Sequence, residues 1–321
     1  MPSEFDLIAR YFTRPARTAV LGVGDDAALI RPAPGMELAI SADMLVAGRH
    51  FLPDADPEKL GRKALAVNLS DLAAMGAQPR WALLSLALPA ADEAWLAAFS
   101  SGFLGQAEQH GVELVGGDTT RGPLNISVTI LGEVEAGRAL RRDAARPGDD
   151  IWVSGELGAA ALGLRHLLGE VVLPEPAAAA SLSRLHDPVP RVALGRALLG
   201  LAHAAIDISD GLLADLGHIL ERSGVGARIE LAAVPAAAAL QDLPKLLPAC
   251  ALAGGDDYEL CFTAPVAQRE RIAAAAGELR VTRIGTITAG NALEVINGQG
   301  RPVTLPSAGY DHFGSLAPQS S

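Results

Sequence analysis

Segments with strand character and segments with helical periodicity alternate along this chain, and this alternation restricts its fold more than any other feature. In the first half they follow one another at residues 36–42, 57–76, 92–110, 112–115 and 124–134. Asp56 and Pro57 predict the start of the first helix, and Gly111 predicts the end of the second. Strands and helices mixed in this way indicate an α/β or α+β fold and not a helix bundle or a β-sandwich.

The second half repeats the theme, and a polar stretch separates the two halves. Strands are predicted at 151–154, 204–208, 227–231 and 259–263, with helices at 155–168 and 212–222. Residues 138–150 contain the turn sequence Pro147-Gly148-Asp149 and are predicted to be a linker. A chain of 321 residues has the length of two ordinary domains, which we place at 1–137 and 151–321.

The charge and hydropathy of the chain exclude several classes of partner. The net charge is −11, whereas a nucleic-acid-binding protein normally has a basic face, so no nucleic-acid partner is expected. No apolar run reaches the roughly 18 residues that a membrane-spanning helix needs. The first ten residues include Glu4 and Asp6 and do not resemble a secretory signal, so a cytoplasmic location is expected. Cys250 and Cys261 are expected to be buried, reduced thiols.

Several common catalytic motifs are absent from the sequence. Without a Gly-Lys dipeptide there is no Walker A phosphate loop, and neither HExxH nor GxSxG occurs. Residues 22–27 match the dinucleotide fingerprint G-x-G-x-x-A. However, Asp25 and Asp26 would place two carboxylates beside the pyrophosphate, and Pro32 soon follows, so this interpretation is disfavoured.

The main positive signal is aspartate at the end of an apolar run, usually beside glycine or serine. This pattern recurs at Asp25-Asp26, Asp43, Asp71, Asp118, Asp207, Asp210 and Asp256-Asp257. One such site alone would be read as a turn or a helix cap, but many carboxylates gathered together require a hard cation with oxygen ligands. The Asp207 segment does not have the spacing of an EF-hand. Ligands from separate segments therefore favour Mg²⁺ that bridges carboxylates to substrate phosphates.

The densest basic cluster is open to two interpretations. Arg138, Arg141, Arg142 and Arg146 could form a solvated linker, or they could contact nucleotide phosphate through their guanidinium groups.

Taken together, these motifs resemble the thiamine-monophosphate kinase family, within the superfamily of aminoimidazole ribonucleotide (AIR) synthetase and selenophosphate synthetase. The resemblance covers nearly the whole chain. It is carried by GVGDDAAL at 22–29, SADMLVAGRHF at 41–51, KALAVNLSDLAAMGA at 63–77, GGDTTRGP at 116–123, IDISDGLLADLGHI at 206–219, GGDDYELCF at 254–262 and GYDHF at 309–313. The chain departs from the family pattern at Ala42 and Asp256, where threonine and glutamate are expected.

The resemblance implies a fold and a set of site residues. It implies a two-domain protein like AIR synthetase, with an N-terminal mixed sheet that pairs across a homodimer and a C-terminal α/β domain. Several Mg²⁺ ions would be held by Asp26, Ser41, Asp43, Asp71, Asp118, Asp207 and Asp210. ATP would be contacted by Gly117, Asp118, Arg142 and Ser209, and thiamine monophosphate by His50, Asp256 and Tyr310. Asp43, Asp71, Asp118 and Asp210 would be the catalytic residues.

The implied reaction is phosphorylation of thiamine monophosphate by ATP to thiamine diphosphate, the last step in making that cofactor. The acceptor phosphate has a second pKa of about 6 and is therefore already deprotonated near neutral pH. No general base is needed, which agrees with the absence of a His-carboxylate or Ser-His motif, and direct in-line transfer is expected. Two alternatives stay open: a sister enzyme that activates another oxygen with ATP, and a catalytically silent protein that binds the same ligands.

Overall fold

The computed structural model of the protein describes residues 3–303, which divide into two units. The first unit extends to Ala139 and also includes His186–Leu199. The second comprises Leu140–Leu185 and the described chain from Gly200 to Val303. Most of the expected linker, 138–150, thus groups with the second unit. The return of His186–Leu199 to the first unit has no counterpart in the sequence pattern.

Within residues 3–303 the chain forms ten strands and eight α-helices, besides short 3₁₀- and π-helical turns. In chain order these are α1 (Glu4–Leu7), β1 (Met36–Val46), α2 (Pro57–Ala74), β2 (Gln78–Leu88), α3 (Glu93–His110), β3 (Glu113–Arg121), β4 (Asn125–Glu135), β5 (Asp150–Ser154), α4 (Ala159–Leu167), α5 (Ala177–His186), α6 (Val192–Ala197), β6 (Ala204–Asp207), α7 (Leu212–Ser223), β7 (Gly226–Glu230), β8 (Leu260–Ala264), α8 (Arg269–Ala276), β9 (Val281–Thr288) and β10 (Leu293–Ile296).

The predicted start of α2 and the predicted bounds of α3 are confirmed, whereas α4 begins at Ala159 and not at Gly155 as predicted. The Asp56 carboxylate accepts a 2.9 Å hydrogen bond from the backbone N–H of Lys59 and so caps α2. Asp92 caps α3 through the backbone N–H groups of Ala94 and Trp95. Gly111 ends α3 with a φ of 67°, the left-handed conformation that glycine adopts without steric cost.

The sheet of the first unit has the strand order β1-β4-β2-β3. The pairs β1–β4 and β4–β2 are antiparallel, whereas β2–β3 is parallel with α3 as the crossover. Along β2 and β4 the residues of one face, such as Leu84, Leu86, Ile126 and Val128, are almost completely buried. Helix α2 packs against β1, β4, α3 and α6, so this buried face is the helix-covered face of the sheet.

Strand β2 is an element that the sequence interpretation missed. In the sequence Pro79 indicates only that α2 has ended, yet it is the second residue of β2. The ladder between β2 and β4 shifts register between Pro79 and Trp81. A proline has no N–H to donate to the hydrogen-bond ladder of a sheet. Sheets therefore tolerate proline mainly near strand ends and at irregularities of this kind.

The second unit is built on a six-stranded sheet with the order β10-β7-β9-β5-β8-β6. Only β10–β7 is parallel among its adjacent pairs. Its core joins this sheet to α7, with Ile206, Leu212, Leu216 and Ile219 at most 2% exposed. The mixed α/β class predicted from the sequence is therefore confirmed in both units.

Candidate metal and phosphate site

In the first unit, strand β1 and helix α2 bring together several of the expected metal ligands. The Ser41 hydroxyl donates a 2.5 Å hydrogen bond to Oδ2 of Asp71. The backbone N–H of Asp43 donates to Oδ1 of Asn68 at 3.1 Å. Ser41 and Asp43 are two residues apart in a strand and so share the face that α2 covers. Three oxygen-bearing side chains, Ser41, Asp43 and Asp71, thus lie in one place.

Asn68 is a residue of this cluster to which the sequence interpretation gave no role. It is 1% exposed, and its Nδ2 donates to the carbonyl of Ala64 at 3.0 Å, one helical turn earlier. Because that bond orients the amide, Oδ1 faces the N–H of Asp43. The sequence signal was present, since Asn68 stands three residues before Asp71 in the quoted α2 motif.

Asp118 lies on the opposite face of the same sheet. It is paired in register with Ser85, Ser85 with Ser127, and Ser127 with Met44. Cross-strand partners share a face, so Asp118 is on the side of Met44, away from Asp43. Three interstrand spacings of about 4.8 Å place β3 about 14 Å from β1. Within one chain, the structure does not bring Asp118 together with Asp43.

Gly117, the expected nucleotide contact beside Asp118, is required by the backbone. Its φ is 146°, and a Cβ atom there would lie 1.8 Å from the carbonyl oxygen of Leu84. Any other residue would therefore separate β3 from β2 at this point.

Asp26 lies in an exposed segment between the isolated bridge partners Leu21 and Leu29. Its backbone N–H donates to Oδ1 of Asp25 at 2.9 Å. No helix follows within residues 22–32, whereas a dinucleotide site requires a helix directly after the glycines. The local structure therefore lacks the helix that the dinucleotide interpretation of residues 22–27 requires.

His50, the expected substrate contact in this unit, is fixed by a tight turn after β1. Its Nδ1 accepts a 3.0 Å hydrogen bond from the backbone N–H of Val46. With Nδ1 as acceptor, the neutral imidazole carries its proton on Nε2, which is then the hydrogen-bond donor of the ring.

In the second unit, the expected ligand Asp207 is the last residue of β6, and the expected ligand Asp210 lies in the loop between β6 and α7. One carboxylate oxygen of Asp215, Oδ2, accepts the backbone N–H groups of Ser209, Asp210 and Gly211 at 3.0, 3.1 and 3.1 Å. Asp215 is 3% exposed, and burial raises its pKa to about 6 despite these bonds. The sequence pattern assigns Asp215 no role, although it lies inside the quoted motif at 206–219.

The segment 254–259 lies beside that loop and carries the expected substrate residue Asp256. The backbone N–H of Asp256 donates to the carbonyl of Ser209 at 2.9 Å, and a Cβ on Gly255 would lie 2.3 Å from the same oxygen. Asp256 and Tyr258 have φ values of 67° and 50°, uncommon for residues other than glycine. The Tyr258 hydroxyl donates to Oδ1 of Asp256 at 3.0 Å. Strained backbone of this kind often accompanies a functional site.

The neighbouring Asp257 binds the protein backbone through its carboxylate. Both of its carboxylate oxygens accept the backbone N–H of Gly158, which precedes α4, at 3.0 and 2.9 Å. Burial raises the pKa of Asp257 well above its ordinary value.

Two expected ligand contacts remain outside these clusters. Arg142 is exposed, and its backbone carbonyl accepts a 2.8 Å hydrogen bond from the Ser223 hydroxyl. Tyr310, the third expected substrate contact, lies outside the described residues.

The described part of the chain contains no group of three or more His, Cys, Asp or Glu side chains that could hold a metal ion. The potential metal ligands that do come together are the hydroxyl oxygen of Ser41 and the carboxylate oxygens of Asp43 and Asp71. Mg²⁺ prefers such hard ligands and is commonly held by one or two carboxylates, with substrate phosphates and water completing its shell. This set of oxygen ligands therefore fits Mg²⁺ bound together with a phosphorylated ligand.

Between residues 3 and 303, no helix is long and apolar enough to span a membrane.

Comparison with known proteins defines the class first. Residues 24–134 match the family model for the N-terminal domain of AIR synthase related proteins, and residues 146–297 match the model for their C-terminal domain. The two-domain architecture is thus that of an AIR synthase related protein.

Full-length relatives narrow the class further. The chain is 49% identical over 318 residues to thiamine-monophosphate kinase of Escherichia coli K12, with 97% of this chain and 98% of that protein covered. The crystal structure of thiamine-monophosphate kinase from Stenotrophomonas maltophilia K279a matches with a TM-score of 0.83 at 48% identity, over 92% and 95% of the two chains. AaThiL complexed with AMPPCP and TMP matches with a TM-score of 0.78 at 35% identity, over 88% and 89%. The chain belongs to the thiamine-monophosphate kinase family.

Proposed function

We propose that this protein is a kinase that transfers the γ-phosphoryl group of ATP to the phosphate of thiamine monophosphate, giving thiamine diphosphate and ADP. The observation that carries the proposal is the grouping of Ser41, Asp43 and Asp71 in a chain whose near-full-length relatives are thiamine-monophosphate kinases. The solved structure of a relative at 35% identity is a complex with AMPPCP and TMP, in agreement with these two substrates.

The chain's residues would position substrates and offset their charge. In the first unit Ser41, Asp43 and Asp71 would hold Mg²⁺ together, while Asp26, and Asp118 on the opposite face of the sheet, would bind Mg²⁺ separately. In the second unit Asp207 and Asp210 would bind Mg²⁺. Bound Mg²⁺ would neutralise phosphate charge and align the acceptor with the γ-phosphate. Gly117, Arg142 and Ser209 would contact ATP. His50, through Nε2–H, and Asp256 would contact thiamine monophosphate, together with Tyr310.

No residue of the chain need act as a general base. The acceptor is a phosphate monoester with a second pKa of about 6, so its oxygen is already anionic near neutral pH. Transfer would be direct, and no phosphorylated residue would form. A protein-bound label that survives denaturation after incubation with γ-labelled ATP would contradict this mechanism.

The exposed face of the first sheet supports a homodimer. On β1, Ile40 and Met44 are 62% and 53% exposed, and both lie on the side away from the helices. Large exposed apolar side chains aligned along a strand are typical of an interaction surface, and the proposed occupant is the same face of a second copy. Met44→Glu places a charge on this apolar face and is therefore expected to give a monomer. Because Asp118 lies on the same face, the substitution is also expected to lower activity. Light scattering coupled to gel filtration would measure the mass.

The substrates also imply a location. ATP and thiamine monophosphate are metabolites of the cytoplasm, and the proposed reaction would take place there.

The test is product analysis by chromatography after incubation of the purified protein with thiamine monophosphate, ATP and Mg²⁺. Thiamine diphosphate with an equal amount of ADP, abolished by EDTA, is the expected result. Asp43→Asn should lower turnover by about 100-fold or more, whereas Asp242→Asn, at an exposed position in the second unit, should not. Folded protein that makes no product would support a sister enzyme or a silent binding protein.

A further inference from the structure

The loop Ser209–Gly211 presents three consecutive backbone N–H groups that converge on one point. Converging backbone N–H groups form a concave site with positive partial charge, which binds anions. A phosphate of the nucleotide could occupy such a site. Here the occupant is Oδ2 of Asp215, which accepts all three N–H groups.

The opposite side of the loop is also held by the backbone. The carbonyl of Ser209 accepts the N–H of Asp256 and lies so close to Gly255 that a Cβ there would be 2.3 Å away. Gly211 has a φ of 123°, and a Cβ on it would lie 2.8 Å from the carbonyl carbon of Ala253. The backbone of the loop is thus held on both sides, by Asp215 and by the segment 253–256. The side chains of Ser209 and Asp210 are then the groups with which the loop would contact a ligand.

We propose that Asp215 is a positioning residue, which holds the backbone of Ser209–Gly211 so that Asp207 and Asp210 are set for a divalent cation. It also fills the backbone anion site, so that Ser209 meets the nucleotide through its hydroxyl and not through its N–H. The proposal rests on the metal-binding role given to Asp207 and Asp210 under the proposed function. Asp215 itself contacts neither metal nor substrate.

Asp215→Asn is the informative change. It leaves the size of the side chain unchanged but replaces one acceptor oxygen with an NH₂ group and removes the negative charge. The remaining oxygen could still face the three donors, but without the negative charge each hydrogen bond is weaker. Two readouts are needed: hydrogen exchange of the three amides by NMR, and Mn²⁺ affinity by electron paramagnetic resonance in the presence of AMPPCP. Neither readout depends on turnover.

Asp149→Asn is the matched control. Asp149 is a buried carboxylate of the same unit that also accepts a backbone N–H, that of Arg146, but it serves the turn at 146–149. Asp215→Asn should raise the exchange rates and weaken Mn²⁺ binding, each by about tenfold or more. Asp149→Asn should change both by less than about twofold, even where it lowers stability to a similar degree.

The outcomes separate this inference from the kinase proposal. A positioning role is excluded if Asp215→Asn keeps both the slow exchange of the three amides and the Mn²⁺ affinity. It is also excluded if the three amides exchange faster while Mn²⁺ affinity is unchanged. If the variant does not fold, unprotected exchange of these three amides in the folded wild-type protein would itself overturn the inference. If both readouts change as expected in a protein that makes no thiamine diphosphate, the positioning role stands while the kinase proposal fails.

Discussion

The hydroxyl of Ser41 in β1 is hydrogen-bonded at 2.5 Å to the carboxylate of Asp71 in α2, 30 residues away in sequence. This bond joins the two elements that carry the oxygen ligands of the first unit. It also engages one oxygen of Asp71, which fixes the direction in which the carboxylate faces. A metal site built on this pair is therefore preorganised by the contact between strand and helix.

Removal of that hydroxyl should weaken metal-dependent activity without unfolding the protein. For Ser41→Ala we expect the Mg²⁺ concentration at half-maximal rate to rise about 10- to 100-fold, because a proposed ligand is lost and Asp71 is no longer oriented. The measurement is steady-state turnover against Mg²⁺. Ser100→Ala is the control, since that hydroxyl donates to the Ala97 carbonyl within α3. Equal Mg²⁺ requirements in both variants would contradict the assignment.

Close contact between α2 and α3 depends on glycine. A Cβ on Gly102 would lie 1.9 Å from the carbonyl oxygen of Glu58, so Gly102→Ala must push the helices apart. We expect a loss of about 3 kcal/mol in the free energy of unfolding, measured by urea denaturation. Gly105, also in α3, faces open space where a Cβ would lie, and Gly105→Ala should stabilise by up to about 1 kcal/mol. Similar midpoints for the two variants would show that the helices do not meet at Gly102.

The buried carboxyl of Asp257 should give stability an unusual pH dependence. Burial raises its pKa, so the folded protein binds this proton more tightly than the unfolded chain does. Its contribution to stability is then largest below the unfolded pKa of about 3.9 and is lost as pH rises through the folded pKa. Asp257→Asn keeps a carbonyl acceptor for Gly158 and removes the titration. The stability of the variant relative to wild type should therefore be higher at pH 7.5 than at pH 4.5, by chemical denaturation at each pH. A constant difference would rule out a raised pKa.

The two thiols should be unreactive in the folded protein. Cys250 and Cys261 are both 0% exposed, and burial raises the pKa of each. Because the thiolate is the reactive form, native protein should react with Ellman's reagent about 1,000-fold or more slowly than denatured protein. Two thiols should titrate in guanidinium chloride. Rapid reaction of the native protein would place at least one thiol at the surface.

Local signals carried much of the secondary structure. Asp56 and Asp92 cap helices, and Gly111 ends one, through contacts with residues only a few positions away. A short stretch of sequence is therefore enough to predict these helix ends. Strand β2 was missed because Pro79 has two local meanings, helix stop and strand start. A register shift against β4 decides between them.

For the candidate site, the sequence determined which residues carry the chemistry, since Asp43, Asp71, Asp118, Asp207 and Asp210 stand in recognisable motifs. Tertiary structure alone decided which of them meet. Asp43 and Asp118 were both identified from an aspartate at the end of an apolar run, yet pairing through two intervening strands puts them on opposite faces of one sheet. Likewise, Asn68 accepts the backbone N–H of Asp43, which lies 25 residues earlier in the chain. Strand register and backbone hydrogen bonds between segments depend on how the whole domain packs, and no short window of sequence contains that information.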